Sequence, residues 1–432
     1  MTRSSAGPSL MEGRTKIEDY ADILEVLKLP SFAMVRGIEP PSSHELMNLT
    51  VATLDGQEHF KRRRIESNVF RNDTLSYFEQ HALRPIMRAT LGHMTAGTDV
   101  DGIVCADLVP LMLELLHKVS AAVSGLDDVD TPERGTQLAR ITRDIGPGLT
   151  VEWVREGADE VLNTTHAAMA ELQREFIEPS LERRRALVAE HKAGNIGAEE
   201  LPRDVLTMLL LNWEAHWDEE VPLREIALYL VGSVHSTSRL SSHILEDLWD
   251  WKAKGHEIPT DASFLGGAAA ESLRMHAALP ALMRRATAEV VLSSGRVIQS
   301  GEYVALEFGK ANRDRGFFGE DADEYNPRRA ATLEPPAMPW GLSFGGGTHM
   351  CIGRRMVTGG DLVGAHTDSN QRGTTGSLLT ILTVLLSCGI QPDRSTHWVK
   401  DDTTFYDFYT SYPVLFTNLN EESVAAIGGG SN

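Results

Sequence analysis

The segment from Phe344 to Gly353, FGGGTHMCIG, is the part of the chain best suited to chemistry. Three consecutive glycines let the backbone approach a flat ligand closely, and a single cysteine, Cys351, follows before another glycine. A cysteine held among backbone amides just ahead of a helix start is where a thiolate is stabilised. The plainer alternative is a Gly-rich turn that carries a buried structural cysteine. A phosphate loop fits less well, because GxxxxGK[ST] is absent and no strong GxGxxG in a βαβ setting is visible. The other thiols, Cys105 and Cys388, are widely separated from it. Three cysteines cannot all pair with one another, and no CxxC spacing points to zinc. A reducing compartment is the simplest reading.

The elements that must position this loop are mostly helices. Apolar residues recur three and four apart through ADLVPLMLELLHKVSAAVSGL, EGADEVLNTTHAAMAELQREFIEPSLERRRALVAEHKAG and LPRDVLTMLLLNW. One segment is apolar over much of its surface. It starts at Pro222, suited to a first helical turn, and runs through IALYLVGSVHSTSRLSSHILEDLWDWKAK to a stop at Gly255. Unbroken, it would span about 50 Å, enough to cross the whole molecule. A shorter helix, FLGGAAAESLRMH, follows. Then come strand-like runs, AEVVLSSGRVIQ and GEYVALEF, with SSG as a turn. A long stretch rich in Gly, Pro and aromatics leads to the cysteine loop. The expected organisation is one domain over 1–425 with a disordered tail at 426–432.

Composition narrows the function. Of 432 residues, 41 are Lys or Arg and 61 are Asp or Glu, a net charge of −20, which opposes general nucleic-acid binding. No apolar run suits a signal peptide or membrane anchor, so a soluble, cytoplasmic protein is expected.

With Phe344, Gly347, Cys351 and Gly353 spaced as F-x-x-G-x-x-x-C-x-G, the loop resembles the heme-ligand loop of the cytochrome P-450 family, soluble bacterial type. Upstream, Glu271 to Arg274 match that family's E-x-x-R. YNPRR, with Tyr325, Pro327 and Arg329, resembles the segment that completes a Glu-Arg-Arg cluster. ANRDR, from Ala311 to Arg315, resembles a recurrent bacterial sequence, and DGQEHFKRRR places His59 and Arg63 at the family's heme-propionate contacts. The likeness runs from about Asp55 to Arg355. It implies a mainly α fold with a smaller β region (α+β), a long central helix over heme b, and Cys351 as the iron ligand. Phe344 would shield the sulfur, and Gly353 would let the chain pass beneath the porphyrin. It further implies propionate contacts from His59, Arg63, Arg284 and His349, and a buried structural cluster of Glu271, Arg274 and Arg329.

The central helix departs from the family pattern A-G-x-[DE]-T, whose acid and alcohol hand protons to the oxygen chemistry at the heme. LVGSVHST puts His235 at the acid position and Ser236 at the alcohol position, so these two are the candidate catalytic residues, unless His235 simply faces a polar pocket or substrate. Little chain precedes Asp55, so part of the first helix and small sheet is expected to be missing or rebuilt. An insertion, RRMVTGGDLVGAHTDSNQRGTTGS, breaks the helix after the cysteine and puts partner docking there in doubt. Lys61 to Arg64, with Arg354 and Arg355, concentrate positive charge where an acidic ferredoxin would approach, with a solvated helix face as the alternative. The leading expectation is a monooxygenase of small organic molecules, possibly in secondary metabolism, fed from NAD(P)H through a ferredoxin and its reductase. Alternatives are a heme-thiolate enzyme of oxidative coupling, rearrangement or peroxide-driven oxidation, and a non-catalytic partner protein of the same fold. Pocket walls are expected around Ser31 to Asn48, Ile145 to Trp153, Val231 to Ser236, Ala277 to Leu282 and FYDFYTSYP.

Overall fold

A computed structural model of the chain describes residues 11, 13–35, 42–95, 102–359 and 375–428. Its axis is one unbroken helix of 33 residues, Val221–Ala253, with Pro222 in the first turn and Gly255 just beyond the end at φ +91°. The pyrrolidine is preset for a helix start, and glycine accepts the left-handed backbone that ends one. Val234 and Leu245 of this helix pack against Leu115, Leu116 and Val119 of the helix Leu108–Ser124. On another flank, Leu240, Ile244 and Leu248 meet Phe264, Leu265 and Ala268 of the helix Ala262–Met275. A strut that crosses the core buries apolar residues on several sides, as this one does, and it buries polar ones such as Glu225, Ser242 and His243 beside them.

The β structure is small. Four strands lie in the order Thr15–Ile17, Tyr303–Leu306, Leu282–Ala286, Phe32–Met34, the first pair parallel and the other two pairs antiparallel. The short stretch before Asp55 therefore does build its part of the sheet, adding the helix Tyr20–Lys28 between its two strands. A second sheet joins Val104–Asp107, Pro413–Phe416 and Ile390–Pro392, all antiparallel. The expected SSG turn links Val290–Val291 to Val297–Ile298.

After the cysteine loop the chain forms a five-residue helix, Arg354–Thr358, and resumes helix at Ser377–Ser387. Most of the expected insertion, 360–374, lies outside the described residues. Its two ends touch: a Cβ on Gly376 would sit 2.4 Å from the Gly359 amide nitrogen. The expectation of a disordered tail at 426–432 needs correction at 426–428, while 429–432 lie outside the described residues. Glu421–Ala426 is helical and Ile427 is only 3% exposed, packed in the same core as Leu83, Met87 and Leu91. Burial of that apolar side chain anchors the chain there.

Candidate functional site

The cysteine loop is held at both ends by hydrogen bonds that its sequence makes available. At its start, the Asn312 side chain accepts from the Leu342 amide at 2.7 Å and donates to the Arg274 carbonyl at 2.9 Å. Ser343 donates to the Leu273 carbonyl. At its end the Cys351 amide donates back to the Phe344 carbonyl at 2.8 Å, closing the loop. Gly347 has φ +62°, and a Cβ there would lie 1.9 Å from the Leu27 carbonyl oxygen, so only glycine fits against the end of Tyr20–Lys28. Phe344 is buried edge-on to Trp340, whose ring lies beneath the Arg354 guanidinium.

Behind the loop sits the charge cluster. Glu271 accepts from Arg274 at 2.7 and 2.8 Å and from Arg329 at 2.9 Å. Arg274 also donates to the carbonyls of Asn312 and Ala322, and Arg329 to Asp321 and to the carbonyls of Phe318 and Glu324. All three side chains are under 5% exposed. A buried ion pair is tolerable when its remaining donors are satisfied in this way. Gly267 makes room for it, because a Cβ there would meet the Pro327 carbonyl at 2.3 Å.

Cys351 is solvent-accessible although protein surrounds it densely, so it lines an internal cleft. Burial pushes its thiol pKa up, opposed by the Gly353 and Arg354 amides and by the Arg63 and Arg354 guanidinium groups. Around it gather the four candidate propionate residues. The His59 and His349 rings stack at 4.0 Å, Arg63 donates to the Met350 carbonyl, and Arg284 donates to the Met283 carbonyl at 2.8 Å. Arg284 is 4% exposed, and no carboxylate pairs with it among the described residues. Burial lowers its pKa to about 10. The His59 Nε2 is likewise buried without a partner. His349 is held down to about 3 by burial and by the neighbouring His59, Arg284 and Arg63. Asp55, 3.5 Å from the His349 Nε2, is the anion nearest these groups. A buried His59 nitrogen with no partner and a buried Arg284 with no carboxylate, clustered beside a thiol, fit a flat ligand that brings its own carboxylates, as heme does.

The central helix presents Gly232 and Ser233 exposed in mid-molecule, and Gly232 has nothing within 4 Å of where a Cβ would stand. Ser236 is half-buried one turn on, its hydroxyl turned back to the Gly232 carbonyl. His235 points elsewhere. Its Nε2 lies 3.3 Å from the Thr142 carbonyl in the neighbouring helix Pro132–Ile145, and burial brings its pKa down to about 4. It is neutral at pH 7.

The basic run divides. Lys61 and Arg64 are exposed and Arg63 turns to the cysteine loop, but Arg62 is 3% exposed and pairs with Glu225 of the central helix. Its place in a docking surface is therefore withdrawn, since a guanidinium committed to a buried carboxylate offers a partner nothing. Glu225 belongs to a network the sequence reading missed. Glu66 accepts from the Tyr229 hydroxyl at 2.7 Å, the Val51 amide donates to Glu225 at 2.8 Å, and the Trp217 ring lies 3.9 Å from the Arg62 guanidinium. The two carboxyls are in hydrogen-bonding contact and burial raises both pKa values, Glu225 to about 7. The signal available was Glu225 itself, an acid inside an apolar helix.

Comparison with known proteins agrees with this geometry. Residues 263–358 match the family model for cytochrome P-450, the stretch that carries the Glu-Arg-Arg cluster and Cys351. That segment carries the family's pattern, and the chain as a whole has the fold of solved cytochromes P-450. It is 37% identical over 107 residues to the cytochrome P-450 monooxygenase vrtE of Penicillium aethiopicum, covering 22% of this chain and 21% of that one. It is 30% identical over 166 residues to linalool 8-monooxygenase of Pseudomonas putida, covering 36% and 37%. The chain thus matches well under half the length of these relatives. Over its whole length it shares a fold with substrate-free CYP109E1 from Bacillus megaterium, with a TM-score of 0.68, 18% identity, and coverage of 94% of this chain and 93% of that one. A cytochrome P-450 BioI, solved with an acyl carrier protein ligated to hexadec-9Z-enoic acid, gives 0.67, 18%, 93% and 92%. No described helix is long and apolar enough to cross a membrane.

Proposed function

We propose that the protein is a heme-thiolate monooxygenase acting on a small organic molecule. The observation that carries this reading is the cluster of His59, Arg63, Arg284 and His349 beside Cys351, in which the His59 Nε2 has no partner and Arg284 no carboxylate among the described residues. Cys351 would be the iron ligand, those four would hold the propionates, and the bound heme would supply oxygen activation. Phe344 covers the loop from behind. The amides of Gly353 and Arg354 and the Arg63 guanidinium favour the thiolate against burial. Ser236 offers a hydroxyl from the exposed face of the central helix, where it orients a proton donor or substrate.

Electrons from NAD(P)H would arrive through a ferredoxin and its reductase, guided by Lys61, Arg64 and Arg355, the exposed cations of the group. The thiolate assignment is tested by the reduced carbon-monoxide spectrum of the purified protein. Cys351→Ala should abolish the red-shifted Soret band, while Cys105→Ala and Cys388→Ala keep it.

A second reading, peroxide-driven oxidation or another non-monooxygenase reaction, is favoured by one specific feature. The acid position of the central helix holds a neutral histidine engaged with Thr142, so no ionisable group there is placed to pass protons at neutral pH. Ser236→Ala should lower product formed per NAD(P)H by up to about 10²-fold, the lower end of the usual range for general acid–base help, with the carbonyl spectrum intact. His235→Ala should leave coupling unchanged. Native coupling in the serine variant would make the second reading the better one.

A further inference from the structure

Arg239 has the environment of a binding group. It lies on the central helix with Gly232 and Ser236 at spacings of seven and three residues, which places all three on one face of the helix. It is half-buried by exposure and densely enclosed, its Nε is buried with no hydrogen-bond partner, and no carboxylate pairs with its guanidinium among the described residues. The groups packed on it are aromatic. Its guanidinium carbon is 3.8 Å from the Phe408 ring centroid and 5.0 Å from that of Tyr406. Tyr406 in turn stacks on Trp153 at 4.9 Å, in a cluster with Ala281 and Met283. The acid that acts on Arg239 from a distance, Asp401, spends its oxygens on the amides and hydroxyls of Thr403 and Thr404.

A guanidinium whose Nε is buried without a partner, and whose partial burial no carboxylate among the described residues offsets, is desolvated without return for structure alone. Stacking on aromatic faces leaves its in-plane N–H edge for a planar acceptor, and a carboxylate matches that fork with two parallel hydrogen bonds. The other ionisable groups nearby, His235 and His117, are each brought down to about 4 by burial, so they add no charge at pH 7. One cation balances one negative charge, which selects a carboxylate over a phosphate dianion.

We propose that Arg239 anchors the carboxylate of an otherwise apolar substrate, whose remaining length runs along the helix face toward Ser236 and Gly232. The inference deepens the monooxygenase reading and rests on it for the substrate's fate. Seven residues of helix separate Arg239 from Gly232, about 10 Å, so oxidation falls on carbons remote from the acid group.

The experiment compares each of two acids, decanoate and 4-phenylbutyrate, with its methyl ester, by calorimetry on the heme-loaded full chain and by the heme spin-state shift. The wild type should bind at least one acid tenfold or more tightly than its ester. Arg239→Gln should erase that preference by weakening the acid and sparing the ester, and Arg239→Lys should keep part of it. Equal affinity for acid and ester in both wild-type pairs, or an intact preference in a folded Arg239→Gln protein, overturns the proposal. Absence of the thiolate carbonyl band would sink the heme reading instead, and the calorimetric comparison would still report on Arg239.

Discussion

Two buried charge networks flank the cysteine loop, and they are built on opposite balances. In the first, one buried carboxylate, Glu271, serves two guanidinium groups, Arg329 also pairs with the exposed Asp321, and the spare donors reach backbone carbonyls of the segment 312–324. In the second, two carboxyls, Glu66 and Glu225, share one guanidinium, Arg62. Each keeps one oxygen, Oε1 of Glu66 and Oε2 of Glu225, without a donor from the described residues. Burial raises the pKa of both carboxyls, Glu225 to about 7, so the second network holds a proton that titrates near neutral pH. Surplus donors make a fastening; surplus acceptors make a group whose stability depends on pH.

Breaking the fastening should have the largest effect. Arg274→Ala leaves Glu271 with Arg329 and the Asn326 amide and removes the links to Asn312 and Ala322, at a cost of about 3–5 kcal/mol. Denaturant unfolding measures that loss, and heme content of the purified protein should fall with it. The second network should give less to the same treatment. In Glu225→Ala, Glu66 ionises and takes over as the counter-ion of Arg62, so the loss should be nearer 1–3 kcal/mol. A loss equal to that of Arg274→Ala would show that the two networks are energetically alike.

The contrast is sharpened by pH. Glu225 has its folded pKa raised from 4.5 to about 7, and Glu66 is raised as well. Between those values the folded state binds more protons than the unfolded one, so this contribution to stability is whole below about pH 4.5 and is lost as pH rises through about 7. Melting temperature should therefore decline across that window, and Glu66→Gln should flatten the decline. Arg274→Ala should lower the whole curve without changing that slope. The smallest expected effect is at the surface. Removing Lys61 and Arg64 should leave stability within about 0.5 kcal/mol of wild type and weaken the salt dependence of reduction by a ferredoxin, since exposed charges are screened beyond about 8 Å. Arg62→Ala should do the reverse.

How much of this could be read in the sequence follows from the same contrast. The first network is legible because its residues sit at fixed spacings within motifs, E-x-x-R and YNPRR, which lead directly to the cysteine loop. The central helix is legible because Pro222 marks its start, Gly255 its stop, and apolar residues recur through the segment between them. The second network joins Arg62, Glu66, Glu225 and Tyr229 from two helices far apart in the chain, and within a basic run Arg62 looks like its neighbours. Which of four consecutive cations turns inward is decided by the helix that packs on it. His235 illustrates the same limit. Its position relative to Gly232 and Ser236 suggests an acid's role, yet a difference of one residue rotates a side chain by about 100° around the helix, and that rotation delivers it to Thr142. The order at Ile427 was hidden by the glycines and polar residues around it.

The contact between Gly359 and Gly376 has a consequence for how the chain tolerates change. Polypeptide that departs and re-enters at one point behaves as a graft on the trunk, because its length does not alter the spacing of the elements on either side. Closing such a loop costs only about 0.6 kcal/mol more for each doubling of its length. Joining Gly359 to Gly376 directly, or placing there a foreign domain whose own termini lie close together, should leave the cysteine loop and the helix Ser377–Ser387 in register, so this is where evolution or an engineer could add a module to the protein at little expense to its folding.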